Sequence, residues 1–166
     1  MDGFALAAYI AELAGELATE NEDSGGLLPL TLNAFHLIAN SLREPNFIKA
    51  VYELRAFSLM GFCPNLIACS DCAVYECDEM YFSFTEGKLW CKECFDRLAA
   101  KPADSRPVSP SVLYAARFVV FSEDKKIFSF KLNDEAMREF SAFCECYAVT
   151  QAGHGFKTLD FYKDIN

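Results

Sequence analysis

The sequence predicts a mainly α protein: a helical bundle domain with an inserted four-cysteine ribbon built on a short β-hairpin. Three observations lead there. Apolar residues recur at helical spacing through much of the 166-residue chain. Two Cys-x-x-Cys pairs, Cys69 with Cys72 and Cys91 with Cys94, enclose the eighteen residues from Ala73 to Trp90. Between the pairs lie a strand-like Met80–Phe84, a Thr85-Glu86-Gly87 turn and a returning Lys88–Trp90.

The elements follow in order. From Phe4 to Thr19, Phe4, Leu6, Ala7, Tyr9, Ile10, Leu13, Ala14 and Leu17 form one apolar face, with Glu12, Glu16 and Glu20 opposite. Asn21–Gly26 breaks this helix with turn formers. A second helix is predicted from about Leu30 to Leu42, and a third from Pro45, a first-turn proline, to Met60. Gly61 ends it, and Pro64-Asn65 leads into the first cysteine pair. After the hairpin, Cys94–Ala100 reads as a short helix and Lys101–Pro110 as a proline-rich connector. Ser109 is placed to cap a helix running from Pro110 to Phe121, and Asn133 or Asp134 to start a long one ending near Gln151. Phe156–Tyr162 reads as an aromatic tail.

Composition narrows the class. Hydrophobic residues make up 52% of the chain, enough for a packed core. No apolar run is long enough to span a membrane and the amino terminus has no signal-peptide pattern, so a soluble cytoplasmic protein is expected. In that reducing compartment eight cysteines in paired spacing point to metal before disulfides. The formal charge of −9, from 24 acids and 15 bases, disfavours strong DNA binding, because phosphate affinity comes from Lys and Arg releasing counterions. The charge is uneven: residues 1–26 carry six acids and no base, while residues 97–138 hold eight of the bases.

The doubled pair Cys69, Cys72, Cys91 and Cys94 has the spacing of a zinc ribbon, in which each Cys-x-x-Cys turn offers two thiolates to one ion. Four buried free thiols, or a redox pair, are the competing readings. A redox pair would sit after a strand in a βαβ unit, and neither pair does. Four cysteines close the tetrahedron and leave no position for water or substrate, so a structural Zn²⁺ is expected; such sites also accept iron. The stretch from Cys69 to Lys101 carries seven acids and four bases, and a tetrathiolate zinc adds negative charge, so it should not grip phosphates.

The other chemistry-bearing residues receive plainer readings. Cys63, Cys77, Cys144 and Cys146 are expected as small core residues, with Cys77 an alternative ligand. His36 and His154 lack partner motifs and read as structural. Phe118, Phe121, Phe128, Phe130, Phe140, Phe143, Phe156 and Phe161 could stack bases, yet at helical spacing with few interleaved bases they fit a core better. Arg55 is expected in an internal salt bridge or snorkelling at the surface. No phosphate-cradling loop, dinucleotide fingerprint, nucleophile elbow or His-Glu-x-x-His is present, so no catalytic residues are assigned and a non-enzyme is expected.

Several motifs in order resemble one family. Tyr52-Glu53-Leu54-Arg55, Gly61-Phe62, Pro64-Asn65-Leu66 and Cys69-x-x-Cys72 resemble a segment of the bacterial DNA-repair protein RecO family. So do Phe82-Ser83-Phe84 before Gly87, Cys91-x-x-Cys94, Val108-Ser109-Pro110 and Phe156-Lys157-Thr158-Leu159-Asp160-Phe161. The resemblance implies a non-enzymatic recombination mediator of the RecF pathway. With RecR, such a mediator helps load RecA onto single-stranded DNA coated by single-strand-binding protein. It also implies an OB-fold followed by a helical domain carrying a zinc ribbon, whose four ligands map onto Cys69, Cys72, Cys91 and Cys94.

One departure is large: the OB-fold has no counterpart here, and the chain looks like the carboxy-terminal part alone. The expected organisation is a RecO-like helical domain over residues 1–166 with the ribbon inserted at 67–98. RecR and single-strand-binding protein are the expected partners, DNA contact is expected to be weak and membrane contact is not expected. A free-standing zinc-ribbon adaptor unrelated to repair is the alternative.

Overall fold

A computed structural model describes residues 2–20 and 25–165. It is mainly helical, with seven helices and one three-stranded antiparallel sheet among the described residues. The first helix, α1 (Asp2–Glu20), turns Leu6, Tyr9, Ile10 and Leu13 fully inward. Phe4, expected on that face, instead points to solvent. Of the turn expected at Asn21–Gly26, residues 21–24 lie outside the described residues.

The second helix, α2 (Leu27–Ala39), begins one turn before the expected Leu30 and stops before Leu42. Pro29 sits in its first turn, where a missing N–H costs nothing, so the proline does not delay the start. The Asn40 amide donates to the His36 carbonyl at 2.8 Å and closes the other end. Next comes α3 (Pro45–Leu59), with Pro45 at its first position as expected. It runs through the centre of the bundle, so nearly every face is covered: Ile48, Ala50, Val51, Tyr52 and Leu54 are all fully buried. Gly61, at φ 97°, adopts the left-handed conformation that lets the Phe62 N–H reach back to the Phe57 carbonyl at 2.9 Å.

The sheet comprises β1 (Met80–Ser83), β2 (Lys88–Cys91) and β3 (Arg106–Val108), in the order β2-β1-β3. The hairpin β1–β2 pairs Met80 with Cys91 and Ser83 with Lys88, as its spacing predicts. The third strand corrects the expected connector: Arg106-Pro107-Val108 pairs with Phe82, Tyr81 and Met80. Proline is compatible with an edge strand because its missing donor can face away from the ladder. Between β2 and β3 lies α4 (Lys92–Arg97), shorter and earlier than expected because Cys91 itself is its N-cap.

The bundle is completed by α5 (Pro110–Phe121), α6 (Asp134–Ala152) and α7 (Lys157–Asp164). Ser109 accepts from the Val112 N–H and Asn133 from the Ala136 N–H, both as expected. The aromatic tail is a helix, α7, which packs along α1 through Leu159 and Tyr162. Of the phenylalanines expected in the core, Phe128, Phe130, Phe140, Phe143 and Phe156 are buried and Phe118 is half-buried. Phe121 and Phe161 are exposed instead, on the outer faces of α5 and α7. Among the described residues no helix is long and apolar enough to cross a membrane.

Candidate metal centre

The second cysteine pair stands on regular structure. Cys91 closes β2 and Cys94 lies in the first turn of α4, so strand and helix together fix the distance between them. The first pair stands on a loop. There the Cys69 N–H donates to the Val74 carbonyl at 2.8 Å, and the Ala73 N–H to the Cys69 carbonyl at 3.0 Å. Ala73 adopts φ 61°, which turns the chain back after Cys72. The Ser70 N–H donates to the Leu89 carbonyl at 2.8 Å and ties this knuckle to β2.

The fold brings all four predicted residues together: the sulfurs of Cys69, Cys72, Cys91 and Cys94 lie within 4.8 Å of one another. Cys72 Sγ and Cys91 Sγ are 3.7 Å apart. Zn–S bonds of about 2.3 Å in a tetrahedron place sulfurs about 3.8 Å apart, so the donor set and its spacing fit one tetrahedral ion. Cys69, Cys91 and Cys94 are buried and Cys72 is exposed, so the centre sits just under the surface. All eight cysteines are free thiols.

The thiols are electrostatically unequal. Burial pushes the Cys69 thiol up, but the backbone amides of Cys72, Cys91 and Asp71 more than offset this and hold it at about 6. Cys91 is pushed up to about 12, first by burial and then by sharing its surroundings with Cys94, Cys72 and Cys69. Four thiolates cannot crowd together without a cation to compensate them. The Arg97 guanidinium, with Nη2 3.4 Å from Cys94 Sγ, supplies part of that charge.

The remaining cysteines divide. Cys144 is fully buried and Cys146 half-buried on α6, as expected of residues two apart on a helix. Cys63 and Cys77 are exposed and so are not core residues. Cys77 stays outside the four-cysteine cluster: its Sγ lies 3.0 Å from the Glu79 carbonyl and 3.1 Å from Met80 Sδ. His154 Nε2 pairs with Glu16 at 2.8 Å and fastens the turn before α7 to α1. Arg55 makes the expected internal bridge, to Asp124 at 2.6 Å, and also donates to the Val119 and Val120 carbonyls at the end of α5.

Sequence reasoning missed a buried ionic chain. Glu53, fully buried, accepts from Tyr9 Oη at 2.8 Å and lies 3.1 Å from Lys49 Nζ, itself only 2% exposed. Lys49 also reaches Glu145 at 2.8 Å, and Glu145 reaches Lys163 at 2.6 Å, so α1, α3, α6 and α7 share one network. Burial pushes the Glu53 carboxyl up, partly countered by Lys49 and Tyr9. The signal was present in Tyr52-Glu53-Leu54-Arg55. In that run Tyr52 bonds Thr31, Glu53 anchors the network, Leu54 fills the core and Arg55 holds α5.

Comparison with known proteins identifies a family. Residues 1–160 match the family described as recombination protein O C terminal. A DNA repair protein RecO from Acetivibrio thermocellus is 27% identical over 168 aligned residues, covering all of this chain and 64% of the relative. One from Thermoanaerobacter is 25% identical over 98% of this chain and 63% of the relative; one from Bacillus velezensis is 26% identical over 97% and 61%. The chain thus spans just under two thirds of the length of these relatives. The match over residues 1–160 places this chain in the recombination protein O family.

Proposed function

We propose that the chain is the helical, metal-ribbon portion of a non-enzymatic, cytoplasmic recombination mediator that works through protein contact. In this reading it acts in the RecF pathway, with RecR, to help load RecA onto single-stranded DNA coated by single-strand-binding protein. Cys69, Cys72, Cys91 and Cys94 are the four ligands of a structural Zn²⁺, held by a ribbon inserted at residues 67–98 of a helical domain spanning 1–166. The ion would cross-link the first knuckle to the hairpin; the chain's own residues supply the rest of the fold.

The observation that carries the reading is the family membership, which spans residues 1–160. The physical character of the chain supports protein contact over DNA contact: its net charge is −9, and the metal ribbon itself is acidic. A groove of ≈ 490 Å³ beside α6 is lined by Met137, Ala142, Cys146 and Val149 and by the polar Asn46, Ser141 and Thr150, with Arg138 and Glu145 at its side and Glu145 already paired with Lys49 and Lys163. Apolar walls beside a guanidinium suit the acidic, apolar tail of single-strand-binding protein.

The test is direct binding of the purified chain to RecR and to that tail peptide by calorimetry, with single-stranded DNA as the comparison. Binding to at least one protein partner, with weak DNA binding, is expected. No binding to either partner would favour the zinc-ribbon adaptor unrelated to repair. Metal analysis should return one zinc per chain.

A further inference from the structure

We propose that Arg117 is the positioning residue that holds the first cysteine knuckle in its metal-binding shape, and through it couples the metal centre to the helical bundle. The proposal rests on the reading of the four cysteines as a metal centre. It starts from an asymmetry: Cys91 and Cys94 are fixed by β2 and α4, whereas Cys69 and Cys72 lie on a segment with neither strand nor helix. The Cys69 and Ala73 N–H groups close the turn itself and Ser70 ties it to β2, which leaves the two stems, Leu66–Ile67 and Tyr75, to be held from outside.

Arg117 meets the requirement. It projects from α5 and is only 8% exposed. Its Nε donates to the Leu66 carbonyl at 2.8 Å, and its Nη2 to the carbonyls of Ile67 at 3.2 Å and Tyr75 at 2.6 Å. Leu66 and Ile67 enter the knuckle just before Cys69, and Tyr75 leaves it just after Cys72. One guanidinium therefore ties both stems of the loop. Its carbon lies 3.9 Å from the centre of the Tyr75 ring, and Nη1 is 3.6 Å from Glu76 at the exposed rim.

The geometry is particular to arginine. A planar fork can donate along several directions while its face lies on an aromatic ring; an ammonium keeps the charge but offers no plane. Opening the knuckle would leave three carbonyls and a desolvated cation to be rehydrated together. With the knuckle held, Cys69 and Cys72 are already near Cys91 and Cys94, and binding an ion does not carry the entropy cost of ordering the loop. Residues that orient metal ligands in this way typically account for about 10–100-fold in affinity.

The test compares the full chain with Arg117→Ala, Arg117→Lys and Tyr75→Leu. Cobalt(II) affinity is measured by chelator competition, with zinc displacement as a second readout, and amide exchange is followed in metal-free protein. Arg117→Ala should bind cobalt at least ~10-fold more weakly. Its bound spectrum should keep the tetrahedral tetrathiolate form, and exchange should speed up across residues 66–76 but not in α1–α3. Arg117→Lys should recover little, and Tyr75→Leu, which leaves the three carbonyl bonds in place, should show a smaller loss in the same direction.

Unchanged exchange across 66–76 in Arg117→Ala, or unchanged cobalt affinity with an equal loss of stability in both metal-free and metal-bound protein, would overturn the proposal. If Arg117→Ala does not fold, Tyr75→Leu decides: wild-type exchange and affinity in that variant would overturn it. Absence of cobalt binding by the unaltered chain would remove the metal reading, and the exchange comparison would still judge the latch.

Discussion

The bundle and the ribbon reach order by opposite routes. In the bundle, α3 is covered on nearly every face, and its core of Leu, Ile, Phe and Tyr side chains removes enough apolar surface from water to need no ligand. The ribbon has Tyr81 stacked on Phe95 at 4.3 Å and Trp90 beside them, but its first knuckle is nearly bare, with residues 70–79 all exposed. The two are nonetheless joined. Phe82 and Phe84 of the hairpin meet Phe143 of α6, and Tyr147 Oη donates to the Phe62 carbonyl at 2.7 Å. Apolar area alone can order a helix bundle, whereas a short loop without strand or helix is held by point contacts, here the Ser70 bond to Leu89 and the three carbonyl bonds of Arg117.

Removing the proposed zinc would break that contrast most forcefully. Chelation, or Cys91→Ser, should withdraw about 10 kcal/mol of binding energy from the ribbon. Amide exchange should then rise over residues 66–97 while α1, α3 and α6 stay protected. Equal loss in both regions would show that the bundle depends on the ion as well.

The next largest effect belongs to the bundle. Glu53→Ala strips a buried lysine and a buried tyrosine of a shared acceptor, and should cost roughly 3–5 kcal/mol in chemical denaturation. Replacing Lys49 and Glu53 together by Met and Leu should recover most of that loss, since a buried pair exchanged for apolar volume is often neutral. The double variant would show whether the network contributes stability or only register.

A smaller effect separates the helices of the two regions. Asn133 caps α6 with a 2.8 Å bond to Ala136, whereas α4 has no side-chain cap. Asn133→Ala should therefore lower stability by about 1 kcal/mol, read from the same denaturation curves. The smallest effect is a pH response at the end of the bundle. The Gly155 carbonyl, and then the Glu16 carboxylate, raise the His154 imidazole above its usual range. A histidine raised on folding contributes stability that is fully present below its unfolded pKa and is lost as pH rises through the folded value. Exchange in α7 should accelerate across that rise, and His154→Ala should remove the dependence.

Most of this fold was legible because its signals are local. A first-turn Pro45, the caps Ser109 and Asn133 and the hairpin turn each act within a few residues and appear where the sequence places them, while helical spacing found the helices but left the bounds of α2 and α4 off by up to a turn. The third strand was not legible: Pro107 resembles a breaker until β1 offers it an edge. Nor was the seventh helix, whose short Lys157–Asp164 run gains its order by packing on α1. The four cysteines could be picked out by spacing alone, since the chemistry of one ion constrains it. The residues supporting them could not, because Arg117 lies 51, 50 and 42 positions from the carbonyls it holds.

The sequence by itself determined the class of the molecule and picked out the four cysteines that the fold gathers into one cluster. Tertiary structure decided which charges could be buried and which loop could be shaped in advance. Lys49, Glu53 and Arg117 look like ordinary surface residues in a linear reading. They are tolerated inside because the fold brings a carboxylate, a hydroxyl or a converging set of carbonyls within hydrogen-bonding distance of each, and only three-dimensional proximity can offset the cost of taking a charge out of water.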